Sequence, residues 1–459
     1  MKPIYRNQNF AFFYRIIDKY GPRANAGMIL LIVALLTMVI ANSPLNLWYD
    51  AFWKIELYLG TENFNFLSHN GHAMTLLDFV NDVLMAVFFF SVGLEIKREM
   101  LVGELSSFRQ VLLPLIAACG GMILPVALFF LTGKLQSFTS EQMGGLAIPM
   151  ATDIAFSLGV LSLFGKRVPL SLKIFLLALA IVDDIGGIIV IALFYTSLSP
   201  NSLMYAIIAL VALIGLLSGN RLRINSKAFY TLGGIVIWYM FMKIGIHPTI
   251  AGVVVAFTVP ARPYVNIRDY TEGLQNDLNL IKSTILRKPS EKDIMLSNIQ
   301  IKCLFRVNKS SDRVISPLQD FEDKLQGVVS YLIMPLFAFA NAGVVFNLSG
   351  GWNLLTGVTL AVMVGLIFGK SLGIFTFTWL AVKIKVCRMP MDMTWKRLLG
   401  LSFLGGIGFT VALFLATLSY SAGSELLNDA KLGIILGSLI SGIIGHMYLS
   451  KVLPKVDKK

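Results

Sequence analysis

Two adjacent aspartates, Asp183 and Asp184, stand inside the apolar run SLKIFLLALAIVDDIGGIIVIALFYT, residues 171–196. About 20 apolar residues suffice to cross a bilayer. A carboxylate at the centre of such a span costs roughly 2.5–3.5 kcal/mol on insertion scales, and the chemistry such residues do there is the handling of ions or protons. Neighbours on a helix point about 100° apart, so one carboxylate can face a cavity while the other faces a neighbouring helix. Like charges this close oppose double ionisation, and desolvation pushes the same way. Such a group can hold either a proton or a cation, and small hard cations prefer oxygen ligands. Competition between the two for one site is enough to couple their movements in opposite directions, with alternating access delivering one to each side.

Two further segments carry polar chemistry into apolar surroundings. In IPMATDIAFSLGVLSLFG (148–165), Asp153 follows Pro149 and Thr152. Proline removes a backbone donor and disturbs a helix interior, and broken helices are tolerated in membranes where they line a cavity or are buried in protein. Freed carbonyls and the Thr152 hydroxyl are oxygen donors. The competing reading is a kinked packing helix with a snorkelling aspartate, but Asp is too short to reach the interface from mid-span. The segment LGGIGFTVALFLA (404–416) holds Gly405, Gly406 and Gly408, which weaken a helix or allow close helix packing. Lys370, within AVMVGLIFGKSLGIFTFTWLAV, is an ammonium in mid-span that needs a counter-charge. Asp153, Asp183 and Asp184 are the candidate partners.

The elements that must position these residues are helices. Hydrophobic residues make up 56% of the 459 and charged residues 14%, with mean hydropathy +0.73. A soluble domain carries about 25% charged residues. Apolar runs predict twelve spans, starting near Gly27, Met74, Val111, Gly144, Ser171, Ser202, Phe229, His247, Gln326, Trp352, Leu398 and Ala430. With both termini inside, 33 of the 39 lysines and arginines fall on the cytoplasmic side, which sets the orientation. The net charge of +13 is therefore a topology signal. The basic residues are scattered over loops, which argues against a nucleic-acid partner. The predicted organisation is a basic cytoplasmic segment at 1–25, spans 1–8 over 26–262 and a cytoplasmic loop at 263–325. Spans 9–12 follow over 326–451, then a basic cytoplasmic tail at 452–459. The N-terminal segment lacks the short apolar core of a signal peptide. Residues 48–66 lie outside, where a hairpin and an irregular aromatic loop both fit. Residues 263–319 are polar with little periodicity and are expected to include a mobile loop rather than a separate domain. Cys119, Cys303 and Cys387 have no metal-like or disulfide-framework spacing.

With ATDIAF, ALAIVDDIGGIIVIALFYT, PLFAFANAGV, FGKSLGI and GGIGFT, together with FFFSVGLEIKREM and GIHPTIAGVVVAF, the chain resembles the bacterial NhaA-type Na+/H+ antiporters from about Ala26 to Lys451. The resemblance implies an all-α polytopic inner-membrane protein of twelve transmembrane helices with an inverted-topology repeat. Spans three to five and ten to twelve form the two triplets, with the interrupted helix in the middle of each. It also implies electrogenic exchange of protons for Na+ or Li+, regulation by pH and no cofactor. By the same resemblance Asp184 is the principal cation and proton carboxylate. Asp183 is its partner, paired with Lys370 in some states. Asp153 and Thr152 sit at the broken fourth helix, where charge compensates helix-end dipoles; Thr152 helps ligate the cation, and Lys370 supplies the compensating positive charge. Glu95, Arg98, Glu99, Glu322 and His247 match positions associated with pH sensing at or near the cytoplasmic mouth, and each also reads as an interfacial helix-end charge. The external segment corresponds to a hairpin that joins two protomers, so a homodimer is expected. The loop before Glu322 is longer than the family pattern, which sets the pH-sensing mapping in question.

Two other classes use intramembrane carboxylates. An aspartyl protease needs two carboxyls sharing a proton across a gap; there is no GxGD motif, and adjacent Asp183 and Asp184 cannot both face one peptide. A channel or proton-coupled symporter could use the same residues, and only the direction of counterflow separates it from an antiporter.

Overall fold

A computed structural model of the chain describes residues 22–61, 64–69, 72–103, 106–196, 202–285, 298–345, 357–390 and 392–454. Its helices follow from the apolar sequence, since a backbone amide in lipid has no water to bond and must be satisfied within its own helix. In chain order they are α1 (Pro22–Ala41), α2 (Asn46–Trp53), α3 (Leu76–Val102), α4 (Phe108–Leu135), α5 (Ser140–Met150), α6 (Ile154–Ser162), α7 (Leu170–Phe194), α8 (Ser202–Arg221), α9 (Lys227–Ile244) and α10 (Pro248–Thr258). There follow α11 (Ile267–Ile285), α12 (Asn298–Val314), α13 (Pro317–Val328), α14 (Met334–Asn341), α15 (Gly357–Lys383), α16 (Trp395–Gly405), α17 (Phe409–Ser419) and α18 (Glu425–Val452). A π turn, Val329–Ile333, joins α13 to α14, and α3 and α15 contain π turns at Phe79–Leu84 and Gly365–Lys370.

Length and apolarity alone mark six of these as able to cross a bilayer: α3, α4, α7, α8, α15 and α18. The number rises to nine if each of three bent pairs is one span. The α1–α2 pair bends by 113°, and α5–α6 and α16–α17 each bend by 43°. The expected eighth span begins at His247, which caps α10, but that helix has only 11 residues, about 17 Å at the α-helical rise. The expected ninth span starts earlier than Gln326. Pro317 occupies the first helical turn of α13, and the Ser316 hydroxyl accepts from Gln319 N at 3.2 Å. The polar residues 317–325 hid this start from a reading of apolar runs.

The external segment divides into two kinds of structure. Residues 46–53 are helical, because Tyr49 and Trp53 recur at i, i+4 and bury together. Short antiparallel strands follow: β1 (Glu56–Leu57), β2 (Gly60–Thr61), β3 (Phe64–Asn65), β4 (Ser68–His69) and β5 (His72–Thr75), paired β1–β5, β4–β5 and β2–β3. Two helices lie in the long loop, on either side of residues 286–297, which are outside the described residues. α11 and α12 pack together, with Arg306 Nη2 3.3 Å from Asp277 Oδ1 and Tyr270 Oη 2.7 Å from Ser311 Oγ.

The largest apolar core packs α1, α3, α5, α7, α14, α15, α17 and α18 together and includes Phe89, Ile181, Phe337, Leu366 and Phe414. A second joins α4, α7, α15 and α16 through Ala117, Leu176, Ile374 and Leu401. A third packs α9 and α10 on α3 through Tyr230, Val255 and Leu94.

Candidate functional site

The two breaks meet. Pro149 cannot donate to a helical ladder, and after Met150 the chain is extended through Ala151 (φ −78°, ψ 149°) and Asp153 (φ −94°, ψ 104°). Gly406, Ile407 and Gly408 interrupt the other pair. The Asp153 amide donates to the Ile407 carbonyl at 2.7 Å, so one break bonds directly to the other. The approach needs the glycines: a Cβ on Gly408 would lie 2.9 Å from the Ala151 carbonyl oxygen, and one on Gly406 would press on the Leu366 carbonyl and the Ser441 hydroxyl. Both sequence readings of the glycines, interruption and close packing, describe the same place.

Breaking two helices in mid-span creates four ends with unpaired backbone groups. The N-terminal ends carry about +0.5 charge each and the C-terminal ends about −0.5. One side chain serves both N-terminal ends. Asp153 Oδ1 accepts from Phe156 N at 3.0 Å in α6, and Oδ2 accepts from Thr410 N at 3.1 Å and Thr410 Oγ1 at 2.7 Å in α17. The C-terminal ends are met by donors. Lys370 Nζ donates to the Met150 carbonyl, Ser157 Oγ to Leu404 O at 2.8 Å and Ser441 Oγ to Phe403 O at 2.7 Å. Thr152 Oγ1 lies 2.9 Å from Gly405 O and 2.6 Å from Asp183 Oδ2. Both are acceptors, so its single proton serves one at a time.

Lys370 is fully buried and ends the π turn of α15. Its Nζ sits 2.5 Å from Asp183 Oδ2. Asp183 Oδ1 has no hydrogen-bond partner among the described residues. Asp184, on the next position of α7 and only 4% exposed, has neither a hydrogen bond nor an ion pair among the described residues. Glu95 adds to the negative potential there.

The charges can now be balanced. Asp153 faces two half-positive helix ends, and Asp183 faces Lys370. Asp184 faces no positive charge of its own. With Asp153 set against the two helix starts and Asp183 against the ammonium, Asp184 is the buried carboxylate of the three left without a positive partner. A group in that position takes a proton or a cation.

The residues expected to sense pH fall into two places. Arg98 Nη2 lies 2.8 Å from Glu99 Oε1, and Arg98 Nε lies 3.3 Å from Glu322 Oε1. The long loop does not displace Glu322, because α13 begins ahead of it at Pro317. Glu95 is on the same helix and bears on Asp184. His247 belongs elsewhere. Its Nδ1 is 2.8 Å from Thr249 Oγ1, and its Nε2 is 3.7 Å from Asp82 Oδ1. Asp82 precedes Arg98 on α3 by 16 residues, about 24 Å of helix. His247 is therefore not part of the Arg98 cluster.

Sequence reasoning missed several groups. Thr410 lies within GGIGFT with no charge of its own to mark it, and the Met150 carbonyl has no side-chain signature. Asp82 and Asn81, on the α3 π turn, are not among the residues that the sequence singles out. Asn341 Nδ2 donates to Asn81 Oδ1 at 2.8 Å. An acid within 27 residues that form one apolar helix was the available signal for Asp82.

This centre gathers three carboxylates, an ammonium and four broken helix ends inside the apolar helices. In a protein of many apolar helices that defines a membrane ion transporter rather than an enzyme. Comparison with known proteins agrees and is more specific. The Na+/H+ antiporter 1 family matches residues 20–449. A protein of Phocaeicola vulgatus named Na+/H+ antiporter NhaA is 53% identical over 432 residues, 94% of each chain. One of the same name from Bacteroides thetaiotaomicron is 52% identical over 437 residues, 95% of this chain and 96% of its own. One from Porphyromonas gingivalis is 44% identical over 449 residues, 96% of each. The chain belongs to the Na+/H+ antiporter 1 family. With its apolar helices and bacterial relatives it is a multi-pass protein of a bacterial inner membrane.

Proposed function

We propose that the protein exchanges Na+ or Li+ for protons electrogenically by alternating access, under the control of pH. The observation that carries this reading is the uncompensated Asp184 beside the Asp183–Lys370 ion pair. Asp184 and Oδ1 of Asp183 offer oxygens to a small hard cation, and the Thr152 hydroxyl lies 2.6 Å from the other oxygen of Asp183. A proton on Asp184 satisfies the same charge deficit, so the two ligands compete. Electrogenic exchange needs more than one titrating group per cation. Asp183 is the second: a cation that draws it away from Lys370, and a proton that later replaces the cation, change the charge of the pair. The transported ions are substrates, and the cycle needs no cofactor.

Twelve spans fit this reading when α9, α10 and the continuous α13–α14 helix are added to the nine. The triplets α4–α7 and α15–α18, each with a broken middle helix of the same bend, support an inverted repeat. The lysine and arginine distribution supports cytoplasmic termini. Arg98, Glu99 and Glu322, with Glu95 between them and Asp184, are the proposed pH-responsive group. His247 with Asp82 is a second, separate one. The external strands are the proposed contact of a homodimer.

The test is Na+-induced pH change in proteoliposomes, wild type beside Asp184→Asn, from pH 6 to 9. The expected result is proton efflux from the vesicle as Na+ enters, lost in a folded mutant. Proton and Na+ movement in the same direction would make the protein a symporter, and wild-type flux in the mutant would remove Asp184 from the site.

A further inference from the structure

The α11–α12 pair carries more apolar surface than its own packing uses. On α11, Tyr270, Leu274, Asp277 and Ile281 face inward and Arg268, Glu272, Gln275 and Asn279 face out; its exposed Leu278 and Leu280 (47% and 44%) stand about 160° apart around the helix and form no strip. α12 differs. Gln300, Cys303 and Val307 face α11, yet Ile301, Leu304 and Phe305 form a second apolar strip on the other side of the helix. At 100° per residue, Phe305 points about 160° away from the buried Cys303. Phe305 is 71% exposed and Leu304 48%. Lys302 and Arg306 flank the strip, and by sequence α12 carries four basic residues to one acidic.

The position of α12 in the fold says what surface lies nearby. It ends at Val314, and α13 begins at Pro317. Asp320, within the first turn of α13, pairs with Lys227, the first residue of α9. The end of α12 is thus held within a helical turn or so of the level at which the α9 helix begins. At that level bulky apolar side chains beside ammonium and guanidinium groups meet lipid headgroups and the upper acyl chains, and clustered Lys and Arg there favour anionic lipids.

We propose that α12 lies on the leaflet surface at this end of the spans. Ile301, Leu304 and Phe305 enter the interfacial region, Lys302 and its basic neighbours sit over anionic headgroups, and α11 faces the aqueous side. The arrangement makes α12 a fourth kind of segment in this chain, neither span, nor broken span, nor aqueous loop. It anchors the linkage between α10 and α13 in the lipid composition of that leaflet. Only the naming of that leaflet as cytoplasmic rests on the orientation proposed above.

The test places a nitroxide at Phe305→Cys in full-length protein whose Cys119, Cys303 and Cys387 are alanine, with Asn279→Cys on the outer face of α11 as the reference. Both are reconstituted into vesicles of phosphatidylethanolamine with one quarter phosphatidylglycerol, and into phosphatidylcholine alone. Power saturation then compares access to oxygen with access to an aqueous nickel chelate. In the anionic vesicles the residue-305 label is expected to favour oxygen several-fold over nickel, relative to the residue-279 label. That preference should fall in phosphatidylcholine and in a Lys302→Glu background. Equal nickel access at both labels would overturn the proposal. Exclusion of both reagents at residue 305 would overturn it too, because protein, from a second copy or another segment, would then cover the strip. Retained Na+/H+ exchange in the labelled variants shows that they are folded and does not enter the decision.

Discussion

Replacing Lys370 with methionine tests the charge balance at the crossing most directly. Methionine keeps an unbranched stem of similar length, so the cavity left behind is small. The ammonium is lost from a fully buried position. Asp183 Oδ2 then has only the Thr152 hydroxyl, and the Met150 carbonyl, the last acceptor of α5, loses its donor. Removing one partner of a buried pair costs about 3–5 kcal/mol, and an orphaned buried acceptor about 1–3 kcal/mol. These overlap, since Asp183 can take up a proton and bond elsewhere, so the expected loss is about 3–5 kcal/mol in all. The companion variant Lys370→Met with Asp183→Asn removes both charges and should regain about 0.5–3 kcal/mol, the usual range of coupling between contacting residues. The assay is thermal unfolding of purified protein in detergent, followed by the fraction that remains monodisperse. If Lys370→Met unfolds at the wild-type temperature, or the double variant is no more stable than the single one, then Asp183 and Lys370 are not energetically paired, and the assignment of the uncompensated charge to Asp184 fails with them.

Asp153→Ala should cost about 0.5–2 kcal/mol for each of the two helix starts it caps, whereas Asp153→Asn should keep most of that stability; equal losses in thermal unfolding would mean that capping is not what Asp153 supplies. Gly408→Ala should destabilise by about 1–3 kcal/mol through overpacking against Ala151, while Gly215→Ala in α8, where an added Cβ meets nothing within 4 Å, should be neutral or up to about 1 kcal/mol stabilising. Arg98→Ala removes the guanidinium that lies between Glu99 and Glu322 and should alter the pH profile of flux; an unmoved profile in proteoliposomes would leave the cluster a purely structural one. Asp82→Asn should alter the effect of His247→Gln on that profile if the two groups act together, and strictly additive effects would separate them.

The centre was legible in the sequence to the extent that its parts are conspicuous in apolar surroundings. Tandem aspartates, a lysine in mid-span and a proline–threonine–aspartate break all violate the composition of a lipid-facing helix, and each violation marked a real element of the crossing. What could not be read was pairing. Thr410 acquires its role only through a contact with Asp153 at 257 residues' separation, and the Met150 carbonyl is backbone. His247 and Arg98 both matched a functional pattern, but sequence carries no information on which end of α3 each approaches. The helices of the long loop were missed for a different reason. On α11 the inward positions include Asp277, whose charge is met by Arg306 on α12; a charged residue in the buried row breaks the apolar period that a sequence reading follows. The second apolar face of α12 blurs its period further. Two-residue strands lie below what any alternation pattern can reveal.

The Asp153–Thr410 contact also has a consequence in time. Chains are synthesised at roughly 5–20 residues per second, so the 257 residues between the two take about 13–50 s to make. Throughout that interval only one of the two breaks exists and Asp153 lacks its second helix end, while Asp183 waits for Lys370 over the 187 residues that separate them. The membrane insertion of this protein therefore includes an obligatory waiting period, in which these buried carboxylates must stay hydrated or take up a proton until their partners emerge from the ribosome.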